Sequence, residues 1–386
     1  MSFFFPYFQP IIDIPSGRIV GYEALARTLD SQGRVCSAGP LFSDPSVPKE
    51  TLLDIDRSVR KQAIEQIKNI PEGTFLTLNI SPEWIQMLKH QDAVPTIDMV
   101  LSSGIDPRRI IIEITENEGE LESIQRLVEE YRALGMRIAV DDFGAGYSEL
   151  NRMIALEPDL IKLDMRFFKS AIEGGIANDA IQAIGFMAER IGCDVLCEGV
   201  ETEQEFNFAV ECGATLIQGF MFYPAKASFI APEEAMEKTE RLRQSFLALK
   251  LEEEKERANY FKDIMSNVHL LTDLWLGTKN VPSIDSLPHM PEGFIRFYIC
   301  SISGEQLSPN YEYFDGQWYQ EPSFIGYNWS GRPYFYQVLA ISDMLSRTEV
   351  TSRPYRDRAS RELFQTIGIK LDEGRVLLVD YLYDIN

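Results

Sequence analysis

Up to about residue 230, short apolar runs of strand length alternate with longer stretches of helical periodicity. The runs "IVGYEALA", "TFLTLNIS", "IIIEITE", "IAVDDFG", "LIKLDM", "VLCEGVE" and "TLIQGFMF" predict strands, and residues 51–67, 121–134 and 178–191 predict helices. This alternation reads as repeated βα units around a parallel sheet. A (β/α)8 barrel accommodates it better than an open doubly wound sheet. The open sheet would want a Gly-rich turn after its first strand, and "GYEALAR" is not one.

From Ala231 to Trp275 the texture changes. The segment has no glycine, its one proline is Pro232, and it is rich in Glu, Lys, Leu and Arg. It predicts a long helix, broken at most once. Leu242, Phe246 and Leu249 form one apolar stripe and Phe261, Met265, Val268 and Leu271 another, with "KLEEEKER" between them. The interrupted seam argues for a connector rather than a continuous coiled coil. A turn-rich stretch then opens a second, smaller α+β region with strands at "FIRFYIC", "LFQTIGIKL" and "RVLLVDYLY". The expected organisation is a barrel over residues 1–230, a helical linker over 231–277 and a small domain over 278–386.

Composition narrows the function classes. The chain has 386 residues and a formal charge of −22, which argues against binding nucleic-acid polymers or anionic membranes. No apolar run reaches the roughly 20 residues needed to span a bilayer. The opening "MSFFFPYFQPII" lacks the basic start and cleavage site of a signal peptide. The cysteines (Cys36, Cys193, Cys197, Cys212, Cys300) are too scattered for a disulfide framework, and no histidine lies near Cys193 and Cys197 to complete a zinc site. A cytoplasmic protein with buried thiols is expected.

The candidate chemistry sits at the strand ends. Glu23 follows a strand start in "YEALAR" and Gln218 sits in "LIQGF", while Asn79, Glu113, Glu116, the adjacent Asp141 and Asp142, Lys162, Asp164, Glu198 and Glu201 fall at or near the ends of apolar runs. Strand C-termini of a βα barrel face one mouth. Converging carboxylates repel one another unless cations neutralise them, and an all-oxygen set suits Mg²⁺ or Mn²⁺. Two adjacent aspartates allow one carboxylate to bridge a pair of cations, as in phosphoryl chemistry. Each residue alone also reads as a helix cap or a solvated loop residue; recurrence at one implied rim carries the argument.

"EALAR", "LNIS", "EITE", "DDFGAGYS", "LIKLD", "EGVE" and "QGFMF" together resemble the signature blocks of the EAL-domain family, metal-dependent phosphodiesterases of cyclic di-GMP. The resemblance implies a modified (β/α)8, TIM-like barrel with one antiparallel strand. It implies two Mg²⁺ or Mn²⁺ per site, with Ca²⁺ inhibitory, and hydrolysis to linear pGpG. Glu23, Asn79, Glu113 and Asp141 would ligate one ion, and Asp141 and Asp142 the other. Glu198 would orient the attacking water or ligate directly. Lys162 would fix that water and offset phosphate charge, and Glu116 would anchor the DFGAGYS loop. Arg27 would contact a phosphate, Asp164 and Gln218 the substrate or the ligand network, and Gln9 and Asp56 a guanine. A homodimer is also implied. The chain departs from the family pattern at Ala145 and Glu149, and it lacks a basic residue before the proline of "GFMFYPAK", where Lys226 is a substitute.

In the second region, "NWSGRPYF" resembles the ligand-binding stretch of PAS-like and Cache-like sensor domains, and the whole layout resembles the YkuI-type architecture. Trp329, Arg332, Tyr334 and Asp380 are candidates for holding an unknown small ligand; plain core packing of the aromatics is the alternative. Three functions stay open: a regulated cyclic di-GMP phosphodiesterase, a cyclic di-GMP receptor with weak or no turnover that signals through the C-terminal domain, and a hydrolase of another phosphodiester.

Overall fold

The structure, a computed structural model, describes residues 3–80, 94–115, 121–144, 149–276, 283–345 and 349–383. It divides into two compact units, Met1–Leu247 and Ala248–Asn386.

The first unit is an α/β barrel. Its wall is β1 (Phe5–Asp13), β2 (Ile19–Leu29), β4 (Phe75–Ile80), β5 (Ile110–Thr115), β6 (Arg137–Phe143), β7 (Leu160–Leu163), β8 (Asp194–Cys197) and β9 (Leu216–Ile217). The order β1-β9-β8-β7-β6-β5-β4-β2 closes because β1 also pairs β2; β3 (Val35–Ser37) hangs from the end of β2. β1 is antiparallel to both of its neighbours, while the steps from β2 through β4 to β9 are parallel. β1 has no counterpart among the strands expected from the sequence. Pro6 and Pro10 interrupt the pattern there, and in the barrel they sit opposite Ala26 and Tyr22. Helices surround this wall: α1 (Gly39–Phe42), α2 (Lys49–Gln66), α3 (Pro95–Ser103), α4 (Leu121–Ala133), α5 (Glu149–Leu156), α6 (Met165–Ala171), α7 (Gly175–Ile191) and α8 (Glu203–Glu211). α4 shows why: Ile124, Leu127, Val128 and Tyr131 recur at helical spacing and are buried, while the other face is charged.

α9 (Met236–Leu276) is one unbroken helix, in keeping with the long helix read from the sequence. No glycine or proline interrupts its charged middle, where Lys250 pairs with Glu253 at 2.6 Å, Lys255 with Glu252 at 3.2 Å, and Arg257 with Glu254. Such pairs contribute roughly 0.2–0.5 kcal/mol each.

The second unit is an antiparallel sheet in the order β12 (Gln317–Glu321), β11 (Asn310–Phe314), β10 (Phe294–Ser301), β16 (Arg375–Leu382), β15 (Leu363–Lys370), β13 (Glu349–Thr351), with β14 (Tyr355–Arg356) also on β15. Alternation along β10 and β16 splits their apolar residues between two faces. Phe297, Ile299, Leu377 and Val379 pack with Ile264, Val268, Leu271 and Trp275 of α9. Tyr298, Cys300, Val376 and Leu378 pack with Tyr334, Phe335 and Val338 of α10 (Pro333–Leu345). β11 and β12 form a hairpin that the aromatic pattern had hidden. Its two-residue turn is Asp315-Gly316, with φ of 51° and 73°, as a primed turn requires.

Candidate functional site

Alternation sorts the barrel interior into layers. Ile11, Phe75, Ile111, Ala139, Leu160, Leu196 and Leu216 form an apolar floor. Gly21 completes it, because a Cβ there would meet the Phe75 ring at 2.2 Å. On a strand, the next residue of the same face lies two positions on. That step leads from Gly21 to Glu23, Phe75 to Thr77 and on to Asn79, Ile111 to Glu113, Ala139 to Asp141, Leu160 to Lys162, Leu196 to Glu198 and Leu216 to Gln218. β1 runs the other way, so its step from Ile11 goes back to Gln9, opposite Glu23.

Asp142 breaks the alternation. The register of β6 against β7 slips between Val140 and Phe143, and Asp142 takes a φ of 55°. A bulge with a left-handed residue re-aims a side chain that would otherwise face away from its neighbour's. Oxygens of Asp141, Asp142 and Glu198 therefore lie within 4.8 Å of one another. Gly144 follows with a φ of 108°, and a Cβ there would meet the Phe167 ring at 2.1 Å, so the turn after the aspartates requires glycine.

Lys162 sits at the centre. Its Nζ lies 2.7 Å from Glu198 Oε1, 3.0 Å from Asp141 Oδ1, 3.1 Å from Glu113 Oε1 and 3.4 Å from Glu23 Oε1. Burial works against its charge, but the four carboxylates hold its pKa well above the ordinary lysine value. Burial also opposes ionisation of Glu23. There Lys162 and the amides of Gln218 and Asn79, donating at 2.7 and 3.0 Å, win and lower its pKa. Burial dominates at Glu113, Glu198 and Asp142. Glu113 is pushed well up. Glu198 is pushed to about 8, with Asp141 and Glu23 adding to the burial effect and Lys162 opposing it. Asp142 is raised to about 6 by lost solvation and the Asp141 charge.

This donor set suits a hard cation. Glu113 is fully buried, and apart from the Lys162 ammonium beside its Oε1 neither of its oxygens has a partner among the described residues; Asp141 Oδ1 also faces that ammonium, and Gln218 Oε1 has no hydrogen-bond partner among them. Glu23, Glu113, Asp141, Asp142 and Glu198 face one ammonium, so negative charge remains in excess. Every donor on offer is oxygen, as Mg²⁺ and Mn²⁺ prefer.

The other expected residues are placed as follows. Gln9 Nε2 donates to the Tyr223 carbonyl at 3.4 Å. Arg27 is partly buried and donates to the Ala26 carbonyl at 2.9 Å. Asp164 caps α6, accepting from the Arg166 and Phe167 amides at 3.0 Å, which is the ordinary role open to any strand-end aspartate. Asp56 pairs with Arg60. Glu116 and Ala145 lie outside the described residues. Sequence reasoning missed Arg60; its signal was a charge on the otherwise apolar face that carries Leu52, Val59, Ala63 and Ile64. Cys197 and Cys212 lie with their sulfurs 3.9 Å apart in the core, distant in sequence from any histidine.

In the second unit, Arg332 lies over the Trp329 ring at 6.0 Å, and the Trp329 indole donates to Gln306 Oε1 at 2.9 Å. Asp380 is buried and accepts from Arg296 Nε at 2.7 Å, Thr366 Oγ1 at 2.7 Å and the Tyr355 hydroxyl at 3.3 Å. Its cationic partner is thus Arg296, which also reaches Asp357 at 3.2 Å. Tyr334 is buried, and burial together with the nearby Asp380 charge pushes its hydroxyl up to about 12.

Comparison with known proteins agrees with this geometry. Residues 2–225 match the EAL domain, and residues 234–385 match the EAL-domain associated signalling protein domain. The uncharacterized EAL-domain containing protein YkuI of Bacillus subtilis is 27% identical over 98% of this chain and 95% of its own length. The crystal structure of that YkuI protein, in complex with substrate c-di-GMP and calcium, superposes with a TM-score of 0.87 at 25% identity, covering 99% of this chain and 96% of the other. The probable cyclic di-GMP phosphodiesterase PdeB of Escherichia coli is 28% identical over 57% of this chain, which spans 42% of that longer protein. The manganese and cyclic di-GMP complex of Klebsiella pneumoniae BlrP1 at pH 9.0 has a TM-score of 0.51 at 28% identity, covering 58% of this chain and 59% of that one. The floor of apolar side chains, the ring of acids above it and the match over residues 2–225 place this chain in the EAL-domain family, here joined to a YkuI-type C-terminal domain.

Proposed function

We propose that the chain is a metal-dependent phosphodiesterase that opens cyclic di-GMP to linear pGpG. The observation that carries this reading is the buried acid ring, whose members share the one ammonium of Lys162 and leave Glu113 Oε2 without a hydrogen-bond partner among the described residues. Two Mg²⁺ or Mn²⁺ held by Glu23, Asn79, Glu113, Asp141 and Asp142 would lower the pKa of water and screen charge on the phosphoryl oxygens. Gln218 and Asn79 hold Glu23 in place through both of its oxygens. Glu198 orients the attacking water, and the Lys162 ammonium beside it offsets charge on the phosphate. The water oxygen bonds to phosphorus, the bond to the 3′-oxygen breaks, and one water proton ends on that leaving oxygen. Arg27 meets a phosphate, and Gln9 and Asp56 meet a guanine. Glu116 anchors the loop that follows Asp142, and Asp164 contributes to the substrate network.

The proposal extends to the assembly. The second unit acts as a sensor whose small ligand is held near Trp329, Arg332, Tyr334 and Asp380. The protein works as a cytoplasmic homodimer, which sedimentation velocity would test. Ca²⁺ fills the cation site without supporting turnover, because its loose coordination fits an in-line pair poorly.

Incubation with Mg²⁺ or Mn²⁺ and cyclic di-GMP, followed by chromatography, should yield pGpG. Glu23→Ala and Asp141→Ala should each lower kcat by at least about a hundredfold. Tight dinucleotide binding without product under every cation and pH would favour the receptor function instead.

A further inference from the structure

Arg60 is a buried charge near the end of β4 that the acid ring does not use. It lies on the inward face of α2 and is 7% exposed. Its guanidinium reaches three groups: Nη2 donates to Asp56 Oδ2 and to the Asn79 carbonyl at 3.4 Å, and Nη1 donates to Thr96 Oγ1 at 2.9 Å. Thr96 is itself buried. Arg60 thus joins a helix residue, the end of strand β4 and helix α3.

Stability alone does not call for this arrangement. Taking a guanidinium and a carboxylate out of water costs several kcal/mol, and apolar residues of similar volume often serve a core as well or better. Leu52, Val59, Ala63 and Ile64, on the same helix, are the alternative the fold uses everywhere else on this face. What a leucine could not do is oppose the burial that raises the Asp56 pKa and keep its carboxylate at a fixed place beside Asn79. Asp56 is only partly buried, and among the described residues no donor is recorded to its Oδ1, while Arg60 occupies Oδ2.

We propose that Arg60 is a positioning residue that sets base specificity: it locks Asp56 beside the end of β4 as a carboxylate that accepts from guanine and rejects adenine. This rests on the phosphodiesterase reading above and deepens it. A carboxylate only accepts hydrogen bonds. The Watson–Crick edge of guanine offers two adjacent donors, the ring N1–H and the exocyclic amine, which such a carboxylate can take together. Adenine offers an acceptor at N1, which a carboxylate repels. Discrimination then comes as much from the repulsive pairing as from the attractive one. A carboxylate free to turn or to take up a proton loses that discrimination, because the protonated form can donate to adenine N1.

The test compares dissociation constants of cyclic di-GMP and cyclic di-AMP for the full-length protein with Ca²⁺ present. In the wild type cyclic di-GMP should bind at least about a hundredfold more tightly. Arg60→Leu should reduce that ratio about tenfold or more, mainly by weakening cyclic di-GMP. Arg60→Lys keeps a cation beside Asp56 and should retain most of the ratio. In an Asp56→Asn background, Arg60→Leu should change the ratio less than about twofold, since the two act through one contact. Equal weakening of both dinucleotides in Arg60→Leu would overturn the proposal in favour of a purely structural role, as would an unchanged ratio. If Arg60→Leu does not fold, a wild-type ratio in Asp56→Asn overturns it equally. Wild-type protein that binds neither dinucleotide would overturn the phosphodiesterase reading itself, and this proposal with it.

Discussion

At the scale of single residues, the site is a contest between burial and charge, and Lys162 decides its balance. Burial alone would strip its proton, but Asp141, Glu113, Glu198 and Glu23 reverse that outcome. Burial outweighs that one ammonium at Glu198 and Asp142, so the Glu198 carboxyl is pushed up to about 8 and, with the Asp141 charge adding, the Asp142 carboxyl to about 6. Both values lie above the ordinary carboxylate range, so at pH 7 the cation-free site still holds protons. An arriving cation must displace them. Affinity for Mn²⁺ should therefore rise as pH increases from 6 to 8, by up to roughly tenfold per pH unit for each proton released. Electron paramagnetic resonance of free Mn²⁺ measures this directly, and an affinity independent of pH would contradict the charge balance described here. Glu23, held down by two amides and Lys162, should contribute nothing to that slope.

At the scale of elements, caps and bulges set where each acid goes. α8 begins with a capping box: Thr202 Oγ1 accepts from the Glu205 amide at 3.2 Å, and Glu205 Oε2 accepts from the Thr202 amide at 2.9 Å. Burial opposes the charge of Glu205, but the Glu201 and Thr202 amides and Lys169 lower its pKa. A lowered folded-state pKa stabilises above the unfolded value and loses that contribution as pH falls through the folded one. Glu205→Ala should cost about 1 kcal/mol at pH 7 in urea denaturation. The difference from wild type should shrink below about pH 4. The strand-end acids were legible in the sequence because period-two alternation and a common mouth act on every parallel strand alike. β1 was not, because Pro6 and Pro10 disguise a strand whose direction is reversed. The bulge at Asp142 was not, because a left-handed aspartate leaves no mark beyond the glycine that follows two positions later. In the second unit the aromatic cluster masked the Asp315-Gly316 turn, and no local pattern shows that Asp380 meets Arg296 rather than Arg332. Arg60 was overlooked for a related reason: a lone charge on an apolar helix face reads as a surface residue until its partners on β4 and α3 are known.

At the scale of the whole molecule, a formal charge of −22 opposes any anionic ligand. Screening should therefore speed encounter with a dianionic dinucleotide. Its association rate should increase from about 0.02 to 0.2 M KCl, the reverse of ordinary electrostatic steering. Stopped-flow fluorescence would register the change, and a falling rate would show that local positive potential at the mouth outweighs the global field. The seam of the barrel has a consequence of its own. Ile12 meets Ile217 across it, and Gln218 clasps Glu23 over a separation of 195 residues. Contacts between such distant segments form late in folding, once the intervening loop entropy has been overcome. Until β9 docks, Glu23 lacks the Gln218 amide on its Oε2, so closing the barrel is also the step that finishes the acid ring.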